Sequence, residues 1–181
     1  VSSRFVVRPE FTNLVLSFQH TAFRLETRDR YNEPSEAGAV GEFLRTGHVD
    51  HDMLAGWVTQ IGARTAHGQR MERVRVVSEP HSDYTRFGLA VAAQNVQAGE
   101  DIRYLPRGQA AGLDLPDHDF WLIDSASLLI LRFGDDDVLL GADYTTDPTT
   151  VVKHCYYRDV ARHYAVPWNE YRGRVELPEG P

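Results

Sequence analysis

The chain has 181 residues, 42% hydrophobic and 25% charged. That is ordinary globular composition, enough for one domain with a real core and too little for two comfortable ones. A formal net charge of -7 and a sequence pI near 5.6 argue against a direct nucleic-acid binder, because neutralising phosphates takes a basic face.

Cys155 is the single cysteine, so no intramolecular disulfide can form and a reducing compartment is expected. No apolar run nears the ~20 residues of a bilayer span. Val1 to Glu10 lacks the apolar core of a secretory signal, and Val1 is an unusual natural start. A soluble cytoplasmic protein without membrane contact is therefore expected. Of the 19 basic residues only Lys153 is a lysine, so any mechanism that needs a lysine must use it.

In chain order, Phe11 to Phe18 is apolar and reads as a short helix. Ala22 to Thr27 alternates, with Phe23 and Leu25 on one face, and reads as a strand. Tyr31 to Ser35 is a turn cluster, and a short helix is expected from Glu36 to Leu44. Asp50 is placed as the N-cap of a helix reaching Ala66, with Leu54, Trp57 and Ile61 on one face and Gly68 past its end. Arg73 to Val77 is a strand. Pro80 is placed just inside the next helix, which carries Tyr84, Phe87, Leu89 and Val91 and ends near Gly99. Ile102 to Leu105 is a second strand, so strand, helix and strand form a parallel βαβ unit. Phe120 to Asp124, Ser127 to Phe133 and Val138 to Tyr144 follow as strands. Their short turns, Ser125-Ala126 and Gly134 to Asp137, make an antiparallel meander. Asp147-Pro148 opens the last long helix, whose apolar stripe is read as Val151, Val152, Cys155, Tyr156, Val160 and Tyr164. Pro167 restarts a short turn through Tyr171, and the chain from Gly173 is expected to be loose. The expected fold is α/β: a mixed sheet, parallel unit first and meander second, flanked by helices, in one domain over 1–181.

Ligands gather beyond the carboxyl ends of parallel strands. Here those ends are Ser78-Glu79 and Pro106-Arg107, and the helix between adds Asp83, Tyr84 and Arg86. Arg86 and Arg107 would grip a carboxylate or phosphate while Glu79 and Asp83 orient them. The plainer alternative is a surface loop with ordinary salt bridges. Asp117, His118 and Asp119 read as an acid–base cluster, an incomplete metal site, or simply a solvated loop start; strand alternation points His118 away from both aspartates. Trp121 is expected in the core. His48 and His51 suit a structural or capping role better than zinc. Asp135 to Asp137 is a turn without a calcium-loop pattern. Cys155 is expected to be buried and inert, and Glu33 and Glu36 to mark a helix start. No metal or cofactor is expected.

Two resemblances attach to these residues. The segments Arg75-Val76-Val77-Ser78-Glu79-Pro80, Asp83-Tyr84, Arg86-Phe87, Ala98 to Arg107 and Asp119-Phe120-Trp121 resemble an uncharacterised actinobacterial family, a domain of unknown function. Its members are often encoded beside helix-turn-helix regulators, which implies such a regulator as a partner. More distantly, Arg73 to Tyr164 resembles half of a phospholipase D-like fold. That superfamily places a His, a Lys and an Asp around a strand, the His as nucleophile and the Lys on the phosphate charge. With the closing aspartate set on Asp124, the His position holds Asp117 and the Lys position holds Asp119; His118 is one place out of register. The resemblance also implies a homodimer, since half-size members often pair.

The first functional expectation is thus a noncatalytic small-molecule-binding or regulatory module on a degenerate phospholipase D-like scaffold. Its ligand would be a small anion held by Glu79, Asp83, Tyr84, Arg86 and Arg107, with Asp119 at the border. The alternative is a small tailoring or transferase-type enzyme using carboxylates and arginines at the same strand ends.

Overall fold

The computed structural model describes residues 3–50 and 52–175. Its centre is one eight-stranded mixed sheet in the order β1-β7-β6-β5-β2-β3-β4-β8. Strands β2 (Thr21–Glu26), β3 (Arg70–Val77) and β4 (Asp101–Pro106) run parallel. Strands β5 (Phe120–Ile123), β6 (Ser127–Phe133) and β7 (Leu139–Thr145) form the antiparallel meander, joined to the parallel half where β5 lies antiparallel to β2. The expected α/β fold is therefore observed, including the parallel unit and the meander. Two short strands, β1 (Arg4–Val6) and β8 (Val166–Pro167), close the sheet edges. Helix α1 (Glu10–Val15) follows β1, and α2 (Ala37–Thr46) and α3 (Ala55–Ala66) lie between β2 and β3. Helix α4 (Asp83–Gln97) connects β3 to β4, and the single turn α5 (Arg107–Ala110) follows β4. Helices α6 (Pro148–Tyr164) and α7 (Trp168–Arg172) flank β8.

Strand alternation divides the sheet into two unlike faces. On one, Phe23, Leu25, Val74, Val76, Phe120 and Leu122 form a dry core with Val151, Tyr157 and Ala161 of α6. On the other, Ala22, Met71 and Trp121 join Phe11 and Val15 of α1 and Ile61 of α3. The positions between Ala22 and the end of β2 on this second face are Arg24 and Glu26, set in register beside Arg73 and Arg75 of β3. A charged strip thus crosses a face that is otherwise apolar.

Several local expectations need correction. Pro80 does not enter α4. Ser82 caps that helix, its hydroxyl accepting from Thr85 N at 3.0 Å, so the first turn is satisfied without proline. Asp50 does not cap α3. Its carboxylate accepts from Asp52 N at 2.9 Å, a local turn leading into a 3-10 segment, Asp52–Leu54. Strand β5 stops at Ile123, and the turn to β6 is centred on Asp124 and Ser125, both at positive φ (51° and 52°), as a type I′ hairpin requires.

The stripe on α6 is the largest revision. Asp147 caps the helix as expected, accepting from Thr150 N at 2.9 Å. The buried residues are Val151, His154, Tyr157 and Ala161, whereas Val152, Tyr156 and Tyr164 are 67%, 55% and 51% exposed. His154 can be buried because both ring nitrogens are engaged: Nδ1 lies 2.8 Å from the Thr150 carbonyl and Nε2 lies 3.1 Å from His118 Nε2. Cys155 is half-buried at the margin of that core rather than enclosed in it. Of the segment expected to be loose, Val175 packs against the cluster of Tyr104 and Tyr171; residues 176–181, like Val1 and His51, lie outside the described residues. Among the described residues, no helix is long and apolar enough to cross a membrane.

Candidate functional site

The charged strip on β2 and β3 forms the floor of a cleft of about 340 Å³. Arg24, Glu26 and Arg73 are at most 9% exposed, so each charge needs a partner. Arg24 Nη2 donates to Asp119 at 3.0 Å, and Arg73 Nε donates to Glu100 at 2.7 Å. Glu26 sits between arginines: Arg73 Nη1 donates to one oxygen and Arg75 Nε lies 2.6 Å from the other. Burial pushes the Glu26 carboxyl up, but the charges of Arg75, Arg73 and Arg24 outweigh it and hold the group at about 2. Glu26 is therefore an anion under all ordinary conditions.

Arg75 depends on a glycine. A Cβ built on Gly88 of α4 would collide with Arg75 Nη1, so the missing side chain makes room for the guanidinium. Each of the three arginines keeps a nitrogen that has no hydrogen-bond partner among the described residues: Arg24 Nη1, Arg73 Nη2 and Arg75 Nη2. The floor is thus braced by buried carboxylates and keeps guanidinium N–H groups without a hydrogen-bond partner among the described residues.

Aromatic rings form the walls. Tyr31 packs against Tyr84 with ring centroids 5.4 Å apart, and against Phe133 at 5.6 Å. Trp57 of α3 meets Trp121 of β5 edge-on at 6.4 Å, and the guanidiniums of Arg24 and Arg73 lie over the Trp121 ring. Tyr84 donates to Glu36 at 2.8 Å, and Tyr31 donates to Asp119 at 2.7 Å. Burial pushes the Glu36 carboxyl above its usual range despite the Tyr84 hydrogen bond, and burial likewise raises the Tyr84 and Tyr31 phenols. At the mouth, Arg8 pairs with Glu33 at 2.7 Å.

The residues singled out in sequence do not gather in one place. Tyr84 lines the cleft. Asp119, 2% exposed, lies at its edge with its oxygens fully used: besides Arg24 and Tyr31, it accepts from Thr27 N at 2.8 Å and Thr27 Oγ1 at 2.9 Å. Arg107 faces a separate open groove with Asp29 and Arg28, and its guanidinium is engaged by Ser78 Oγ at 2.9 Å, the Thr27 carbonyl at 2.8 Å and Asp29 at 3.1 Å. Glu79 accepts from Tyr171 at 2.9 Å. Asp83 is exposed and pairs with Arg86 at 3.5 Å. Glu79, Asp83 and Arg86 border neither the cleft nor the groove. The Asp117 side chain is fully exposed, with His118 Nδ1 at 3.5 Å. Asp124 stands at the opposite end of β5, where its carboxylate accepts from the backbone N–H groups of Gln19, His20 and Thr21, each at 2.8 Å. Among the described residues, no group of three or more His, Cys, Asp or Glu is arranged to hold a metal.

Reasoning from sequence passed over Arg24, Glu26, Arg73, Arg75, Trp57 and Tyr31. One signal was present. Arg24-x-Glu26 and Arg73-x-Arg75 put charges at alternate positions around apolar Leu25 and Val74. Such a pattern marks one face as polar, and in interior strands that face needs partners or a ligand.

Residues 9–173 match the family described as a domain of unknown function (DUF6879), and the chain belongs to that family. No curated protein matches the sequence. Among solved structures, NucT from Helicobacter pylori is similar, with a TM-score of 0.50 at 10% sequence identity over 92% of this chain and 98% of that one. At that identity the likeness concerns the fold, which is the phospholipase D-like arrangement of a parallel unit and a meander.

Proposed function

We propose that this chain is a noncatalytic module that binds a small anionic molecule in the arginine–aromatic cleft of a degenerate phospholipase D-like scaffold. The observation that carries the reading is the state of Asp119. It occupies the position where the superfamily motif has its lysine, and it is enclosed by Arg24, Thr27 and Tyr31. A carboxylate there would repel a phosphate, and one already committed to three neighbours is a structural brace. Asp117, in the histidine position, faces solvent. Beside this disabled strand lies a formed cleft whose guanidiniums are held in place by buried carboxylates. Preorganised donors of this kind bind a carboxylate or phosphate with little ordering cost. A helix-turn-helix regulator is the proposed partner that reads the bound state; this rests on the family resemblance alone.

The test pairs binding with turnover on the purified chain. Calorimetric titration with a panel of small carboxylates and phosphates should give saturable binding of at least one of them, weakened at least tenfold by Arg75→Met. The loss of one or two charge-assisted hydrogen bonds, about 1.5–3 kcal/mol each, sets that expectation. Circular dichroism would confirm that the variant is folded. Hydrolysis of a phosphodiester that disappears on Glu79→Ala or Arg86→Ala would overturn the proposal in favour of an enzyme at the strand ends.

A further inference from the structure

The same cleft carries a narrower conclusion about its ligand, and that conclusion rests on the cleft being the binding site. From its charge balance, its walls and its size, we infer that it takes a small aromatic monocarboxylate.

Charge comes first. The four arginines that line the cleft, at positions 8, 24, 73 and 75, are matched by four carboxylates, at positions 26, 33, 36 and 137. The cleft is therefore not an excess-positive trap of the kind that holds polyphosphates. Glu36 is the carboxylate of this set with no arginine, lysine or histidine at ion-pairing distance among the described residues; its hydrogen-bond donor is Tyr84. The groups that face it are Tyr84 of α4, Arg75 of β3, Glu26 of β2, and Glu33 and Arg8 at the mouth. Burial already favours its neutral form. An incoming anion raises that preference further, so Glu36 can take up one proton as one negative charge enters. A second negative charge would face Glu26, which the arginines keep ionised. The arrangement thus accommodates one charge and opposes two.

The walls define the rest of the ligand. Tyr31, Tyr84, Phe133 and Trp57 present ring faces and edges, and three guanidinium nitrogens lie at the floor. A flat ring gains edge-to-face contact from such walls beyond the area it buries, whereas a saturated ring of equal size gains area alone. A planar carboxylate matches the paired N–H groups of a guanidinium. About 340 Å³ lies at the lower end of ligand pockets, roughly 300–1,000 Å³, which suits one or two fused rings with a short acid arm.

The experiment is a calorimetric titration of the full chain with phenylacetate, indole-3-acetate, cyclohexylacetate, phenylacetamide, adenosine monophosphate and inorganic phosphate. Phenylacetate or indole-3-acetate should bind at least tenfold more tightly than cyclohexylacetate, and the other three should give no saturable heat. Affinity for the aryl acids should rise as the pH is lowered, and Glu36→Gln should abolish that rise. Trp57→Ala, at a half-buried wall position, should weaken the aryl acids more than cyclohexylacetate, which loses contact area alone. Equal affinity for cyclohexylacetate would overturn the aromatic assignment, and tighter binding of the monophosphate or phosphate would overturn the single charge; either result leaves an anion-binding cleft in place. If no anion binds, the proposed function falls with this inference.

Discussion

Replacing Asp119 tests whether this carboxylate is a brace or a reactive group. Asp119→Ala takes from the buried Arg24 guanidinium its hydrogen-bonded carboxylate, leaving only the longer 3.6 Å contact with Glu26, and removes the acceptor for Thr27 N, Thr27 Oγ1 and Tyr31 OH. Breaking one side of a buried ion pair typically costs about 3–5 kcal/mol. Small domains are stable by roughly 5–15 kcal/mol, so the variant should fold only marginally or not at all. Asp119→Asn keeps a carbonyl oxygen for Thr27 but turns an amide NH2 toward Arg24 or Tyr31, and should cost about 2 kcal/mol. Tyr31→Phe removes a single donor and should cost about 1 kcal/mol. Urea unfolding separates the three, because a lower midpoint at constant slope reports lost stability rather than a changed unfolded state. With a slope of roughly 1–3 kcal/mol/M, the Asn variant should shift its midpoint by about 1 M. If Asp119→Ala loses less than about 1 kcal/mol at unchanged slope, the carboxylate is not holding the strand. The case for a disabled motif would then collapse.

Other variants probe separate parts of the structure. Gly88→Ala should displace Arg75 from Glu26; overpacking of about 1–3 kcal/mol is offset by about 1 kcal/mol of helix preference, so unfolding should reveal at most a modest loss while ligand titration shows a large one. Val151→Ser should cost about 2 kcal/mol and Val152→Ser under about 0.5 kcal/mol, since the first is buried and the second 67% exposed; equal costs would contradict the placement of α6. Burial pushes the His118 and His154 imidazoles below their ordinary value, opposed by Asp117 at the first and by the Thr150 carbonyl at the second. The unfolded chain then protonates before the folded one. Stability should be fully present above about pH 6.5 and decline as the pH falls through that value, a slope visible in melting temperature and flattened by changing both histidines to Asn. A melting temperature that rises on acidification would reverse this assignment.

What could be seen in the sequence was local, and what could not depended on neighbours. The unit from β3 through α4 to β4 was legible because its apolar positions, Gly99 and its length all agree on one arrangement. The meander was legible because short polar turns leave adjacent strands no choice but to pair. Strands β1 and β8 have three and two residues and no pattern of their own; pairing to β7 and β4 makes them strands. On α6, Val152 and Tyr156 are apolar enough to suggest a core face. The face is decided instead by His154, whose ring nitrogens find partners, and by Tyr157, whose ring packs against it, and that cannot be read from hydrophobicity.

The proposed site lies away from the strand ends for a related reason. The rule that ligands gather beyond strand ends pointed to Glu79 and Arg107. In this fold Ser78, Thr27 and Asp29 engage Arg107, and Tyr171 engages Glu79. The guanidiniums of Arg24, Arg73 and Arg75 lie on one face of β2 and β3, opposite the face that carries Phe23 and Val74. Near Asp119 the sign of the charge has changed places. The position that holds a lysine in the superfamily motif holds a carboxylate, and the cation comes from Arg24 on the neighbouring strand, where Asp119 fixes it beside Trp121. Under the proposed function, fastening the cation gives up mobility and excess charge and keeps the geometry that recognition needs.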